Sequence, residues 1–448
     1  MWTARLFVCT GLTMIFSHSV RADSDLDPIW DPPGGYTVTV VGTTDAFANA
    51  VAVDSLGRVV VGGYSYPVAG GNPQFTVVRY HGDDNPSFVG MEDTDFNNTG
   101  IATVPAGIDG ASGYAVQVCA GDGIVIAGDC TNPAMPQNHS FCLARFTSTG
   151  GVDSNFGTAG TVVTRIGRDD AYAKAMTTDS SGSILVAGYS SSSVTGHPVF
   201  TVVRYNGSGI EDTNFGTGGV ATVAAPGGGA AQASAIAVDS NGSIIVAGTV
   251  ADLAHPNGAL GVARLLPNGA PDPTFHGGAI AIASFANGGN ANAVAVDQLN
   301  RPIVAGTAFP IAPAATATMA LARFTSGGLA DTSFGGVGQV NTPLDGCTDG
   351  LATGVQVDAS GRLFVSGSCR TTQQVLVLAH YNADATLDSA FSPGGYTTAL
   401  FGSYAGASAV ILDGTGRPLV VGSNARIANG FNAFVINRHD YIFSHGFE

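Results

Sequence analysis

Residues 161–205 read TVVTRIGRDDAYAKAMTTDSSGSILVAGYSSSSVTGHPVFTVVRY. Four short segments stand out: TVVT (161–164), AKAMTTD (173–179), SILVAG (183–188) and FTVVRY (200–205). Each is rich in apolar or β-branched residues and bounded by Gly, Ser or Asp, which suits strands and not helices. The third segment closes on Gly188, and the same landmark recurs at Gly63, Gly128, Gly248, Gly306, Gly367 and Gly422, a period of about sixty residues. No single copy can bury its apolar faces alone, so the seven copies form one architecture even though 448 residues would otherwise suggest two or three domains. Four antiparallel strands in seven glycine-punctuated copies predict an all-β fold, a seven-bladed β-propeller with four antiparallel strands per blade. A closed ring also removes the exposed sheet edges of an open β-solenoid, the alternative architecture. The expected organisation is a leader over 1–22, a lead-in over 23–35, the repeats over 36–440 and a tail over 441–448. The strand YTVTVV (36–41) opens the first copy and residues 434–438 close the last. Whether each copy is a complete blade, or the first and last strands share one, stays open at this level.

Three further signatures run through the copies. Asp-x-x-Gly joins the second and third segments, with Asp54, Asp179, Asp239, Asp358 and Asp413 as its aspartates and Asp297 in a copy that carries Asn300 in place of glycine. An aspartate that accepts bonds from turn amides, followed by a residue able to take the left-handed conformation, makes a tight hairpin. One aspartate per copy lacks the ligand density of a calcium site. Asp-x-x-Phe follows the fourth segment at Asp93/Phe96, Asp153/Phe156, Asp212/Phe215, Asp272/Phe275, Asp331/Phe334 and Asp388/Phe391. Its phenylalanine is expected to plug the gap between units, and its aspartate to cap the turn. The fourth segment itself carries Arg79, Arg145, Arg204, Arg264, Arg323 and Arg438, with His380 in the sixth copy. Regular placement argues for a repeated, partly buried pair with a nearby repeated aspartate. A ring of arginines gripping an anion in the channel is the sharper alternative.

The strings ASAIAVDSNGSIIVAG (233–248), FTVVRYNGSG (200–209) and DTNFGTGG (212–219) resemble the delta-60 repeat of bacterial exported proteins, which is also described as a β-propeller domain of unknown function. The resemblance covers nearly all of residues 36–440. It implies a propeller and export, and it brings neither catalytic residues nor a ligand. Cys119, Asn300 and His380 depart from the pattern. The ending YIFSHGFE (441–448) resembles short Ile-Phe-x-x-Gly-Phe-acid tails of exported Gram-negative proteins, although a strand-completing or disordered tail suits its length as well.

Arg5 precedes an apolar run over 6–20, and Val20-Arg21-Ala22 places small residues at −3 and −1. This reads as a signal peptide cleaved after Ala22, leading to a secreted, periplasmic or cell-surface protein. The run is short for a retained membrane anchor, and no later segment is apolar enough to span a bilayer. Cleavage leaves 15 basic against 33 acidic residues, with Lys174 as the sole lysine. Such a surface repels nucleic acid and anionic lipid and admits cations or cationic partners. Cysteines 119, 130, 142, 347 and 369 remain. Export favours disulfides, and the strand order pairs Cys130 with Cys142 and Cys347 with Cys369, leaving Cys119 free. None of their spacings suits a zinc site.

Up-and-down strands put the loops 64–74, 129–140, 189–199, 249–259 and 307–318 on one face, with the links between the first and second segments, and the tight turns on the other. Variable loops on a rigid scaffold are where binding resides. On that face Asp45, Asp170 and Asp349 each lie nine residues before the hairpin aspartate of their copy, Asp109 is ten before Cys119, and Asp169 and Asp345 are close by. These six are the ligand-binding candidates, set against a solvated acidic rim. There is no G-x-S-x-G, H-E-x-x-H or phosphate loop. Scarce tryptophan counts against a lectin and a quinone enzyme, although Tyr64, Tyr66 and Tyr189 sit in suitable loops. The expected function is an exported, monomeric binding or interaction scaffold with a protein or glycan partner and no cofactor. The alternative is a hydrolase or lyase with a divalent cation at the central opening.

Overall fold

The structure, a computed structural model, describes residues 26–27, 29–31, 34–132, 135–167, 169–192, 194–310, 316–425 and 432–439. The leader with its cleavage site, and the tail over 441–448, lie outside the described residues. The chain forms seven four-stranded antiparallel sheets arranged as a seven-bladed β-propeller. The only helical elements among the described residues are three single 3₁₀ turns. Each of the first six blades runs from an inner strand to an outer one in chain order; in blade 1 these are Ala46–Val53, Val59–Ser65, Gln74–Tyr80 and Ile101–Val104. The first segment of each sequence copy is thus the outer strand of the blade before it. Blade 7 settles the boundary question: Tyr36–Thr39 pairs antiparallel with Asn432–Arg438, so the two ends of the chain share a sheet and latch the ring.

Glycine marks every copy for one physical reason. Each inner strand carries a β-bulge beside it, at Asn49, Tyr114, Lys174, Ser234, Asn292, Thr353 and Ser408. The bulge drives an inner-strand carbonyl toward the second strand. A Cβ on Gly63 would stand 1.8 Å from the Phe47 oxygen, and one on Gly188 would stand 1.8 Å from that of Tyr172. Any side chain at these positions breaks the pairing.

Seven apolar clusters fill the seams between blades, each with its own fully buried ring. Phe96, Phe156, Phe215, Phe275, Phe334 and Phe391 plug six of them. Burying each ring is worth about 2–3 kcal/mol. Above the plugs sits a repeated clasp. Arg79 Nε donates to Asp93 at 2.8 Å, its guanidinium lies 4.6 Å over Phe96, and its Nη1 reaches the Ser148 carbonyl of the next blade. Arg145, Arg204, Arg264 and Arg323 repeat all three contacts. Asp93 Oδ1 also accepts the Asp95 amide, which caps the turn. In blade 6 His380 takes the arginine's place beside Asp388 at 3.0 Å, and burial holds its imidazole below its ordinary pKa.

The seventh clasp comes from the lead-in. Arg438 Nε donates to Asp27 at 2.7 Å and stacks 5.2 Å from the Trp30 ring. The Asp27 amide bonds the Arg438 carbonyl, and Asp27 Oδ1 caps Ile29, as the aspartates of the other blades do. Residues 27–30 are therefore the missing Asp-x-x-aromatic copy, displaced to the front of the chain, and the repeat begins before residue 36. The Asp-x-x-Gly turns are Asx-type hairpins throughout: Asp54, Asp179, Asp239, Asp297, Asp358 and Asp413 each accept amides two and four residues on. Asn300 replaces glycine with φ +55°. The disulfides Cys130–Cys142 and Cys347–Cys369 are both formed as expected, and Cys119 is a half-buried free thiol.

Candidate functional site

The seven bulges aim their side chains at the propeller axis. Asn49, Tyr114, Lys174, Ser234, Asn292, Thr353 and Ser408 line a central cavity of about 550 Å³ walled by all seven inner strands. Four of them also stitch the wall: Asn49, Ser234, Asn292 and Thr353 each donate to an inner-strand carbonyl of the next blade, at 2.7–2.9 Å.

Toward the face of the variable loops this ring opens onto a second cavity of about 560 Å³, with Asn49, Thr353, Ala407 and Ser408 common to both. Its lining includes the rings of Phe47 and Tyr404, the side chain of Leu351 and the polar groups of Ser368, Gln374, Ser423 and Asn432. Among the described residues no charged side chain lines it. The space exists because blade 7 has Gly406 where blades 1, 3, 4 and 6 have Phe47, Tyr172, Gln232 and Leu351 two residues before the bulge. A Cβ on Gly406 would meet only the Gln374 amide at 3.2 Å and, farther off, Tyr404 and Ser368.

Phe47 carries the site around the mouth. It stacks on Tyr64 at 5.0 Å, and Tyr64 meets Tyr66 at 6.0 Å and Tyr114 at 6.4 Å. Across the next seam His139 of blade 2 packs on Tyr172 of blade 3 at 4.7 Å, and Tyr172 packs on Tyr189 at 5.1 Å. Lys174 joins the two groups: its ammonium lies 3.8 Å from the Tyr114 ring centroid, 5.4 Å from that of Tyr172 and 3.1 Å from Asp129 Oδ1. Asp129 Oδ2 stands 3.3 Å from His139 Nδ1. Burial raises the Tyr64 phenol, with Tyr114, Tyr66, Asp129 and Asp45 adding to the effect, and burial followed by Asp129 pushes Tyr114 up to about 12. Tyr172 and Tyr189 are raised as well, chiefly by burial. These phenols stay protonated at neutral pH and serve as hydrogen-bonding rims on apolar rings, not as bases.

Three segments of the chain, residues 57–86, 180–215 and 240–275, match the model of DUF5122, described as a domain of unknown function forming a beta-propeller. Those three segments are similar to DUF5122 repeats. No curated protein matches the chain. Among solved structures, polysaccharide lyase Uly1 is 9% identical with a TM-score of 0.51, over 88% of this chain and 90% of that one. Virginiamycin B lyase from Staphylococcus aureus is 11% identical with a TM-score of 0.48, over 90% of this chain and 99% of that one. Likeness at such identity bears on the fold alone.

The six acidic candidates fall in separate places. Asp45 accepts the Asn432 amide at 2.7 Å and its side chain at 2.9 Å, clasping blade 1 to blade 7. Asp170 accepts the His139 amide at 2.7 Å, clasping blade 3 to blade 2. Asp349 is half-exposed and 3.6 Å from Arg370. Asp109, Asp169 and Asp345 are exposed. Among the described residues no three His, Cys, Asp or Glu side chains converge as a metal would require. Only Asp45 and Asp170 border the aromatic row. Sequence reading missed Tyr114, Tyr172, Asp129 and Lys174 as site residues. Aligning the bulge position and the residue after each landmark glycine across the copies exposes Tyr114, Asp129 and Lys174, because blades 2 and 3 hold aromatic or charged groups at both positions and blades 4–7 hold Ser, Thr or Asn; Tyr172 lies two residues before its bulge and escapes the comparison.

Proposed function

We propose that this protein is an exported saccharide-binding propeller whose site is the uncharged, amide-lined cavity at the channel mouth together with the adjoining row of tyrosines. The observation that carries the reading is the composition of the cavity wall. Amide and hydroxyl groups of Asn49, Ser368, Gln374, Ser408, Ser423 and Asn432 converge between Phe47 and Tyr404 with no charge among them. A hydroxylated ring offers an apolar face for an aromatic platform and a rim of hydroxyls that pair with amides, donor to acceptor. The protonated phenols of the adjoining row supply further hydrogen-bonding groups on apolar rings. Two disulfides suit the oxidising compartments to which the leader directs the chain. Among the described residues no helix is long and apolar enough to cross a membrane.

The test is a screen of the purified protein against neutral and charged oligosaccharides, followed by calorimetry. Replacing Gly406 with leucine, the residue of blade 6 at the equivalent position, fills the cavity without demanding an unusual backbone. The expected result is loss of at least tenfold in affinity at unchanged melting temperature. A saccharide bound equally well by the wild type, Gly406→Leu and Phe47→Ala would place binding elsewhere and overturn the reading.

A further inference from the structure

The tyrosine row already holds an ammonium. The only lysine of the chain has its charged head on the Tyr114 face, near Tyr172, and against Asp129. The rings of Tyr64, Tyr66 and Tyr189 extend the same surface on either side. Asp45, Asp129 and Asp170 border it, so with Lys174 counted the region remains negative, in a chain that is acidic overall. Asp45 and Asp170 are held in place by bonds from Asn432 and His139 to their Oδ1 atoms. Negative carboxylates around aromatic faces attract cations twice over, through charge and through the ring quadrupole. The neighbouring amide-lined cavity has no such character. Asp45 links the two, because it fixes Asn432 of the cavity and its charge acts on Tyr64 of the row.

We infer that the ligand is a cationic saccharide, an oligomer carrying free amino groups. The uncharged cavity takes a hydroxylated ring, and the tyrosine row takes the protonated amine of an adjacent ring, beside or in place of Lys174. This rests on the saccharide-binding reading and adds its chemical class.

Calorimetry with glucosamine oligomers, their fully N-acetylated counterparts and a uronic-acid oligomer tests it at mildly acidic pH, where the amine is charged. The free-amine oligomer is expected to bind about tenfold more tightly than the N-acetylated one, with the margin shrinking as salt rises. Lys174→Met removes the resident ammonium and is expected to strengthen amine binding about tenfold, a gain that a structural lesion does not produce. Lys174→Gln, which keeps a polar head, should behave the same way. Asp129→Asn should weaken amine binding selectively. Equal affinity for the amine and N-acetyl forms, preference for the uronic acid, or weakened amine binding in both lysine variants would overturn the inference while leaving saccharide binding in place. Failure of all three oligomers to bind would bring down the saccharide reading itself for these sugars.

Discussion

Replacing Trp30 with alanine should open the ring at one place. Trp30 is fully buried in the cluster between blades 7 and 1, packed so closely against Gly90 that a Cβ there would touch the indole at 2.8 Å. Removing a buried tryptophan costs about 3–5 kcal/mol, and losing the stacking of Arg438 on its ring adds about 0.5–2 kcal/mol. Taking the midpoints, the loss is about 5 kcal/mol, a large share of the stability of a typical domain. The unfolding entropy of so long a chain spreads this over a modest shift, about 5–10 °C in melting temperature. Trp30→Phe is the informative control. It restores the ring used in the other six seams, and the indole N–H has no partner among the described residues, so its loss removes a buried unsatisfied donor. That gain offsets the smaller ring, and the net change should stay within about 1 kcal/mol. Differential scanning calorimetry gives the sizes, and amide hydrogen exchange gives the place: faster exchange in Trp30→Ala should concentrate in strands Tyr36–Thr39 and Asn432–Arg438. If Trp30→Ala is no worse than alanine at the exposed Ile29, or if phenylalanine is as damaging as alanine, the lead-in is not the seventh clasp.

His380 makes stability pH-dependent. Its folded pKa is depressed, first by burial, so the fold favours the neutral ring. Stability is complete above the unfolded value near 6.5 and falls as pH drops below it, by up to about 1.4 kcal/mol per unit. His380→Gln should flatten the melting-temperature profile between pH 6.5 and 5, and an unchanged slope would show that other groups set it. Reducing Cys130–Cys142 or Cys347–Cys369 releases loops of 12 and 22 residues, which should lower stability by about 3 kcal/mol each; paired Cys→Ser variants with wild-type melting temperatures would contradict this.

The repeat, the blade count and the two disulfides are legible in the sequence because each rests on a local requirement met many times over. The landmark glycines answer a carbonyl pushed into their space, and the Asx turns answer amides that need an acceptor. The ring closure is less legible. Asp27 and Trp30 stand in one copy only, far in sequence from Arg438, and tryptophan in place of phenylalanine conceals the match. The site is hidden for a different reason. Asp45 and Asp170 look like a binding rim because they are acidic and recur, yet their carboxylates are occupied by Asn432 and His139. Tyr114 and Lys174 look like ordinary strand residues, and only the bulge turns them toward the axis.

The division of labour around the ring explains why the mouth is free to vary. The clasp of arginine, aspartate and aromatic ring lies on the fourth-segment side of each seam and recurs with few changes, so cohesion between blades rests chiefly on residues away from the opening. Where the inner wall does bind blade to blade, it uses side chains against backbone carbonyls, as Asn49 does with Gly113 and Ser234 with Ala291. A carbonyl accepts from an amide or a hydroxyl alike, so identity at the bulge is loosely constrained. Blades 2 and 3 use that freedom to place a tyrosine and a lysine there, and blade 7 uses the position two residues earlier to place Gly406 and leave a void. Seven equivalent positions thus give an asymmetric mouth, aromatic and negative over blades 1–3 and amide-lined over blades 6, 7 and 1, with Phe47 shared between them. A ligand recognised by both halves must be extended across the opening and chemically different along its length, which a single sugar ring is not.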